Sequence, residues 1–275
     1  QEYPSNYYPW LKAAEIKKAQ VIEVESENWK TPVQKILDRV TKKTRVIAIS
    51  WVQYQTGAVT DLKKIAEELK GSGIWLVADA VQGIGVRPFN FKDMGFDIIC
   101  SGSHKWLCSA YGASYMAIKE ERIEELRALS VGAMSYGTPD TEKNRNNLPR
   151  SDASRYEPGT KSMIEVVAMG ESLDLLMKTG MENILNESCR LAERLGRGLE
   201  SLGFKVISDG PIVNFAPNET SKSASSSIEF IMEPIIEKLK SSKVSFARRG
   251  PGIRLSLHAY NRDSEVDRVL SLLEK

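Results

Sequence analysis

Four residues of chemically capable types fall in two short stretches. Asp79 and Gln82 follow one apolar run, and His104 and Lys105 follow a second. The first stretch reads Val77-Ala-Asp79-Ala-Val-Gln82-Gly-Ile-Gly85, and the second Ser101-Gly-Ser103-His104-Lys105-Trp106. A lysine amine can form an imine with an aldehyde and then move protons at the adjoining carbon. An acid facing a ring nitrogen can keep that nitrogen protonated. Singly, each residue has an ordinary role: an Asp ending a strand caps a turn, and a loop lysine is solvated. The combination says more. Ligands of open parallel sheets bind beyond the carboxyl ends of the strands. If the two runs are neighbouring strands, an acid, an amide, a histidine and a lysine converge on one sheet edge.

The elements needed for this are visible in the pattern. Runs rich in Val and Ile predict strands at 19–24, 45–50, 74–78, 97–100 and 113–118. Residues 60–70 predict a helix capped by Thr60 or Asp61, with Leu62, Ile65, Ala66 and Leu69 on one face and Gly71 as the stop. Such alternation implies an α/β layer with a mostly parallel sheet. The second half differs. Residues 136–156 read as a polar loop and 221–227 as a Ser-rich one. Helices are predicted over 162–178 and 181–202, the latter with Ile184, Ser188, Leu191, Leu195, Leu199 and Leu202 at helical spacing. Short strands at 204–208, 213–215, 244–247 and 253–257 and a last helix over 263–273, capped by Asn261 or Asp263, complete a smaller α+β unit.

Composition narrows the class. Of 275 residues, 41% are hydrophobic, and 38 basic against 36 acidic side chains leave a net charge of +2. That balance argues against a nucleic-acid or membrane-surface protein. The longest apolar run, 74–80, is interrupted at Asp79 and is far shorter than the ~20 residues that span a bilayer. No secretory signal is visible. Three cysteines, Cys100, Cys108 and Cys189, without CxxC spacing, fit a reducing compartment, and a cytoplasmic location is expected. Two histidines are too few for a His-built zinc site, so no metal is expected.

Longer stretches carry a resemblance. Val46-Ile-Ala-Ile-Ser-Trp-Val-Gln-Tyr-Gln-Thr-Gly57, Asp61-Leu62, the Asp79 stretch and Ser103-His104-Lys105-Trp106 resemble the class V aminotransferase family of fold-type I pyridoxal-5′-phosphate (PLP) enzymes. Asp79 and Lys105 stand 26 positions apart, which suits that family. Arg155-Tyr-Glu157-Pro-Gly159-Thr160 and Gly252-Ile-Arg254-Leu-Ser-Leu-His258-Ala-Tyr260-Asn261 resemble two further family segments. The resemblance implies a homodimeric PLP enzyme of α/β fold, with a large PLP-binding domain over 1–160 and a connecting helix plus smaller α+β domain over 161–275. It implies that Lys105 forms the Schiff base and Asp79 holds the pyridinium nitrogen. Gln82 would lie by the phenolic oxygen, and His104 with Ser103 or Ser101 by the phosphate. Thr160 would reach the phosphate of the partner subunit, and Arg254 would pair with the substrate α-carboxylate.

Three departures accompany it. The phosphate-binding serine of the family stands three residues before the lysine, where this chain has Gly102. The opening Glu2-Tyr-Pro-Ser-Asn-Tyr-Tyr-Pro-Trp10 resembles an interior family segment. The reading therefore expects an N-terminally incomplete chain, without the phosphate loop and ring-stacking side chain, and mostly cofactor-free by itself. Residues 239–253 contain no cysteine where cysteine desulfurases carry their nucleophile, and Tyr54 stands at a cofactor-proximal position where those enzymes have Asn, as in the kynureninase and epimerase branch. The expectation is an aminotransferase, epimerase or lyase acting at the α-carbon of an amino acid. A cysteine desulfurase or selenocysteine lyase is the alternative within the enzyme class, and a catalytically silent fragment of the fold is the alternative outside it.

Overall fold

The computed structural model describes residues 1–136, 148–218 and 225–274. Two short helices, α1 (Tyr8–Lys17) and α2 (Val33–Leu37), precede the first sheet. That sheet consists of β1 (Val46–Ser50), β2 (Trp75–Asp79), β3 (Ile98–Gly102) and β4 (Ser114–Ile118), in the order β1-β2-β3-β4. The first three strands are parallel and β4 is antiparallel. Parallel pairing requires crossovers, supplied by α3 (Leu62–Glu68) and α4 (Phe91–Met94). Asp61 caps α3, accepting from the Lys64 N–H at 3.0 Å. Leu62 and Ile65, both fully buried, pack α3 onto a core that includes Ile49, Leu76, Ala78 and Ile99. Burying each Leu or Ile there contributes roughly 1.5–3 kcal/mol.

Register sets the functional edge. Ser50 lies opposite Asp79, and Asp79 opposite Cys100, so β1 and β2 end level and β3 runs two residues further, to Gly102. At the other end, the buried Asp97 carboxylate accepts from the Leu76 N–H at 2.8 Å and from Lys119 Nζ at 3.1 Å. This acid, which stands just before β3, ties the start of β2 to the end of β4.

Two long helices lead into the second half, α5 (Met163–Thr179) and α6 (Met181–Ser201). The stripe predicted for α6 is the buried one: Ile184, Ser188, Leu191, Leu195 and Leu199 are all at most 2% exposed. It packs against an antiparallel sheet of β5 (Phe204–Ser208), β6 (Ile212–Pro217), β7 (Ala247–Arg249) and β8 (Gly252–Ser256), ordered β5-β6-β8-β7. Helices α7 (Ser225–Ser241) and α8 (Asp263–Leu273) complete this half.

Several expectations shift. Residues 19–24 form no strand, because their Val and Ile find no partner strand among the described residues. The strand expected at 244–247 lies instead at Ala247–Arg249, where it can pair with Gly252–Ser256 across a tight turn. Arg262 is the N-cap residue of α8, its N–H bonded to Glu265 at 2.8 Å, while the Asn261 side chain caps the His258 N–H. Of the two predicted loops, 137–147 and 221–224 lie outside the described residues, and 225–227 open α7. Among the described residues, no helix is long and apolar enough to cross a membrane.

Candidate active site

Asp79 is the last residue of β2, at the carboxyl end of the strand that pairs with β3. Its Oδ1 accepts from the Val81 N–H at 3.0 Å, closing the turn that carries Gln82. Burial pushes the carboxyl up from its ordinary range, with the Glu2 charge adding, while the Val81 bond and the Lys105 charge oppose. Lys105 shows the complementary effect. Burial pushes its amine down, the Asp79 charge opposes, and the charges of Arg254 and Arg249 push it down further. A partly desolvated amine facing a partly desolvated acid is the arrangement the strand register predicts.

The two segments after β2 and β3 are held together closely. Gln82 is buried, and its Oε1 accepts from Trp106 Nε1 at 2.9 Å. That leaves its amide NH2 as the end directed to other acceptors. Gly85 has φ +100°, and a Cβ there would lie 2.4–2.5 Å from backbone atoms of Trp106 and Leu107. Only glycine permits the turn to press this close to the lysine segment.

Not every predicted residue is presented to this edge. Ser103 is fully buried, and its hydroxyl hydrogen-bonds the carbonyls of Ala110 and Ala113 at 2.7 and 2.9 Å. It therefore braces the lysine loop from within, and the expectation that it offers a free donor does not match its position. Ser101, also buried, contacts the Gly102 carbonyl. His104 is half-buried, its ring stacked on Tyr111 with centroids 4.7 Å apart. Thr160 is exposed, and with Gly112, Ser114 and Lys161 it borders an open cleft of about 450 Å³ whose lining includes neither Asp79 nor Lys105.

Arg254, on β8, is brought in from the second half. Its guanidinium donates to the Tyr54 carbonyl, and its buried Nε has no hydrogen-bond partner among the described residues. Burial and the Arg249 charge push it below its ordinary pKa. The Tyr54 ring stands edge-on to Tyr3, with centroids 5.2 Å apart.

Glu2 and Tyr3 also lie at this candidate site, and reading the sequence missed them. Glu2 accepts from the Ser50 N–H at 3.1 Å, the Ser50 hydroxyl at 2.6 Å and Gln53 Nε2 at 2.7 Å, which anchors the opening segment on the end of β1. That anchor places the Tyr3 ring centroid 5.5 Å from Lys105 Nζ. The resemblance assigns the side chain that stacks on the cofactor ring to a preceding segment; here an aromatic ring, that of Tyr3, stands beside the lysine. No periodicity marks these residues, since their contacts join positions about 50 and about 100 apart. Cys108, three residues after Lys105, lies with Sγ 3.9 Å from His258 Nε2, and burial pushes its thiol up.

Comparison with known proteins gives the family and the fold. The aminotransferase class-V family model matches residues 1–269, and the chain belongs to that family. An uncharacterized aminotransferase of Schizosaccharomyces pombe is 25% identical over 241 residues, covering 86% of this chain and 59% of that protein. A probable cysteine desulfurase of Aeropyrum pernix is 25% identical over 264 residues, covering 94% of this chain and 61% of that protein. The chain thus spans about three-fifths of the length of these curated relatives. Among solved structures, the cystine C-S lyase C-DES in complex with its reaction product cysteine persulfide superposes with a TM-score of 0.86 at 19% identity, covering 100% of this chain and 73% of that one. A second C-DES structure has glycine covalently linked to the PLP cofactor. The shared fold is that of fold-type I PLP enzymes.

Proposed function

We propose that this chain carries the site of a PLP-dependent enzyme acting at the α-carbon of an amino acid, by transamination, epimerisation or Cβ elimination. The observation that carries the reading is the mutual placement of Asp79 and Lys105 at the carboxyl ends of adjacent parallel strands, each shifted by burial and opposed by the other's charge. The surrounding residues fit the cofactor's ring. The Asp79 carboxylate suits the ring nitrogen, the Gln82 amide NH2 suits the phenolic oxygen, and Tyr3, edge-on to Tyr54, provides aromatic surface beside the amine. His104 is the donor of the 101–105 segment that remains for the phosphate, with Thr160 of a second subunit as a further one.

Bound PLP supplies an aldehyde that takes up an amine and a ring that accepts the electron pair of a broken Cα bond. The protein's own part follows from position. Asp79 keeps a proton on the ring nitrogen by its charge. Lys105, once free, moves the proton at Cα, and its lowered pKa favours the neutral, basic form. Arg254 holds the α-carboxylate, to which its unpartnered buried Nε gives a ready donor.

A homodimer is part of this reading. Helix α5 leaves Ile164 82%, Val167 58% and Leu175 66% exposed, an apolar face suited to a second copy. The free cysteines Cys100, Cys108 and Cys189 support a reducing, cytoplasmic setting. The relatives named probable cysteine desulfurases support a second reading, persulfide chemistry, for which Cys108 is the thiol nearest Lys105 in sequence.

The test is direct. Incubate the protein with excess PLP, remove unbound cofactor, record the visible spectrum, reduce with borohydride and map the adduct by mass spectrometry. The expected adduct is on Lys105 and is absent in Lys105→Ala. No visible band and no adduct would mean a silent member of the fold.

A further inference from the structure

Two arginines meet at one tyrosine. Arg254 donates to the Tyr54 carbonyl, and the Arg249 guanidinium carbon lies 6.0 Å from the centroid of the Tyr54 ring. The arrangement is built into the β7–β8 hairpin. Ala247 pairs with Arg254, and Arg249 with Gly252. Directly paired residues share a face, and residues two apart along a strand share a face. Arg249 and Arg254 are therefore diagonal neighbours on one side of the hairpin.

The backbone around them is fixed. Fully buried Asn214 donates through Nδ2 to the Arg249 carbonyl at 2.8 Å and to the Gln55 carbonyl at 3.0 Å. This bond pair clamps Arg249 to the segment that carries Tyr54. Two like charges on one face repel. Among the described residues, no carboxylate forms an ion pair with either arginine. The Arg249 side chain is exposed and, among the described residues, donates only to the carbonyl of Arg248. Its charge nonetheless reaches both Arg254 and Lys105. One negative group at Arg254 would leave this cation unanswered.

We propose that Arg249 forms a second anion subsite beside Arg254, and that the amino acid taken by this site carries an anionic side chain, a second carboxylate. The proposal rests on the reading that Arg254 binds the α-carboxylate. A guanidinium takes a carboxylate through two parallel hydrogen bonds, so a dicarboxylic amino acid can engage one arginine at each end, with its α-amine directed to Lys105. Tyr54 sets the spacing, since it holds one arginine by its carbonyl and the other by its ring. The substrate class is thereby narrowed from amino acids in general to acidic ones.

The experiment measures binding, so it does not depend on turnover. Titrate the PLP-treated protein with glutarate and with butyrate by calorimetry. Glutarate is expected to bind about tenfold more tightly, the effect of one partly screened charge-assisted hydrogen bond. Arg249→Gln should bring glutarate down to the butyrate level, and Arg249→Lys should restore part of the preference. Arg254→Gln should weaken both ligands. Equal affinities for the two ligands in the wild-type protein, or a preference that survives Arg249→Gln, overturn the second subsite and leave the Arg254 reading standing. If neither ligand binds the wild-type protein, the Arg254 reading fails and the subsite with it.

Discussion

Trp106 donates its indole N–H to Oε1 of Gln82 at 2.9 Å, and this bond joins the turn after β2 to the segment after β3. Both side chains are buried. Trp106→Phe removes the donor and leaves a buried acceptor without its partner, at a cost of about 1–3 kcal/mol. Adding Gln82→Leu removes the acceptor too, and stability should partly recover. PLP affinity should not recover, because the amide is then absent. Thermal unfolding and cofactor titration on the single and double variants check this. Full recovery of both properties would show that the Gln82 amide has no role at the cofactor.

Gly85 presses its turn against the Trp106 backbone. In Gly85→Ala the new methyl would sit 2.4–2.5 Å from main-chain atoms at a positive φ, so the turn must move. The variant should lose about 2–4 kcal/mol in denaturant unfolding. Lys105 should become more reactive toward an amine acylating reagent as its surroundings open. Unchanged stability would mean that the two segments are not held as closely as described.

Asp97 serves the fold rather than the site. Its buried carboxylate answers the Leu76 N–H, Lys119 and Arg122. Asp97→Ala leaves the amide unpaired and two half-covered cations unanswered, and should destabilise the protein by about 3 kcal/mol. Urea unfolding measures it. PLP binding per folded molecule should stay at the wild-type level, since the substitution lies at the opposite end of the sheet.

The sequence made some of this legible and left the rest hidden for definite reasons. The α6 stripe is correctly read because helical spacing and burial coincide from Ile184 to Leu199. Asp79 and Lys105 could be placed at neighbouring strand ends because they follow apolar runs that pair in parallel. Ser103 misleads: its residue type suits a phosphate, but its hydroxyl is turned inward to the Ala110 and Ala113 carbonyls. Glu2 and Tyr3 are invisible to local patterns, since their roles depend on Ser50, Tyr54 and Lys105, far along the chain. The strand expected at 19–24 fails because Val and Ile content does not supply a neighbour to pair with.

The cysteines separate two chemistries. Cys100 and Cys108 have thiols pushed up by burial, as does Cys189, so none is poised as a thiolate at neutral pH. Replacing all three with Ser should preserve turnover of an acidic amino acid. Stopped-assay rates on the triple variant check it, with circular dichroism as the control for folding. Complete loss of activity in a folded variant would establish persulfide chemistry instead.

Asp79→Asn gives the sharpest test of the site, because its effects on stability and chemistry run in opposite directions. The amide keeps the shape and can still accept from the Val81 N–H, so the turn is retained. In the wild-type protein, the folded pKa of Asp79 is raised above its ordinary 3.8, chiefly by burial. Between 3.8 and the raised value the folded state binds more protons than the unfolded one, so stability falls as pH rises through that window. Above it, the cost of holding a buried charge is fully present. Asn carries no such cost. The variant should therefore unfold at an equal or higher temperature than wild type at pH 7, and the difference should shrink as pH falls toward 3.8. The same change removes the charge that opposes the lowering of the Lys105 amine pKa, so acylation of Lys105 should reach half its maximal rate at lower pH than in wild type. Turnover with PLP should meanwhile drop by orders of magnitude, since the ring nitrogen loses its counter-charge. A variant that is less stable at pH 7, with Lys105 unchanged in reactivity, would show that the two groups do not sense each other across the strand ends.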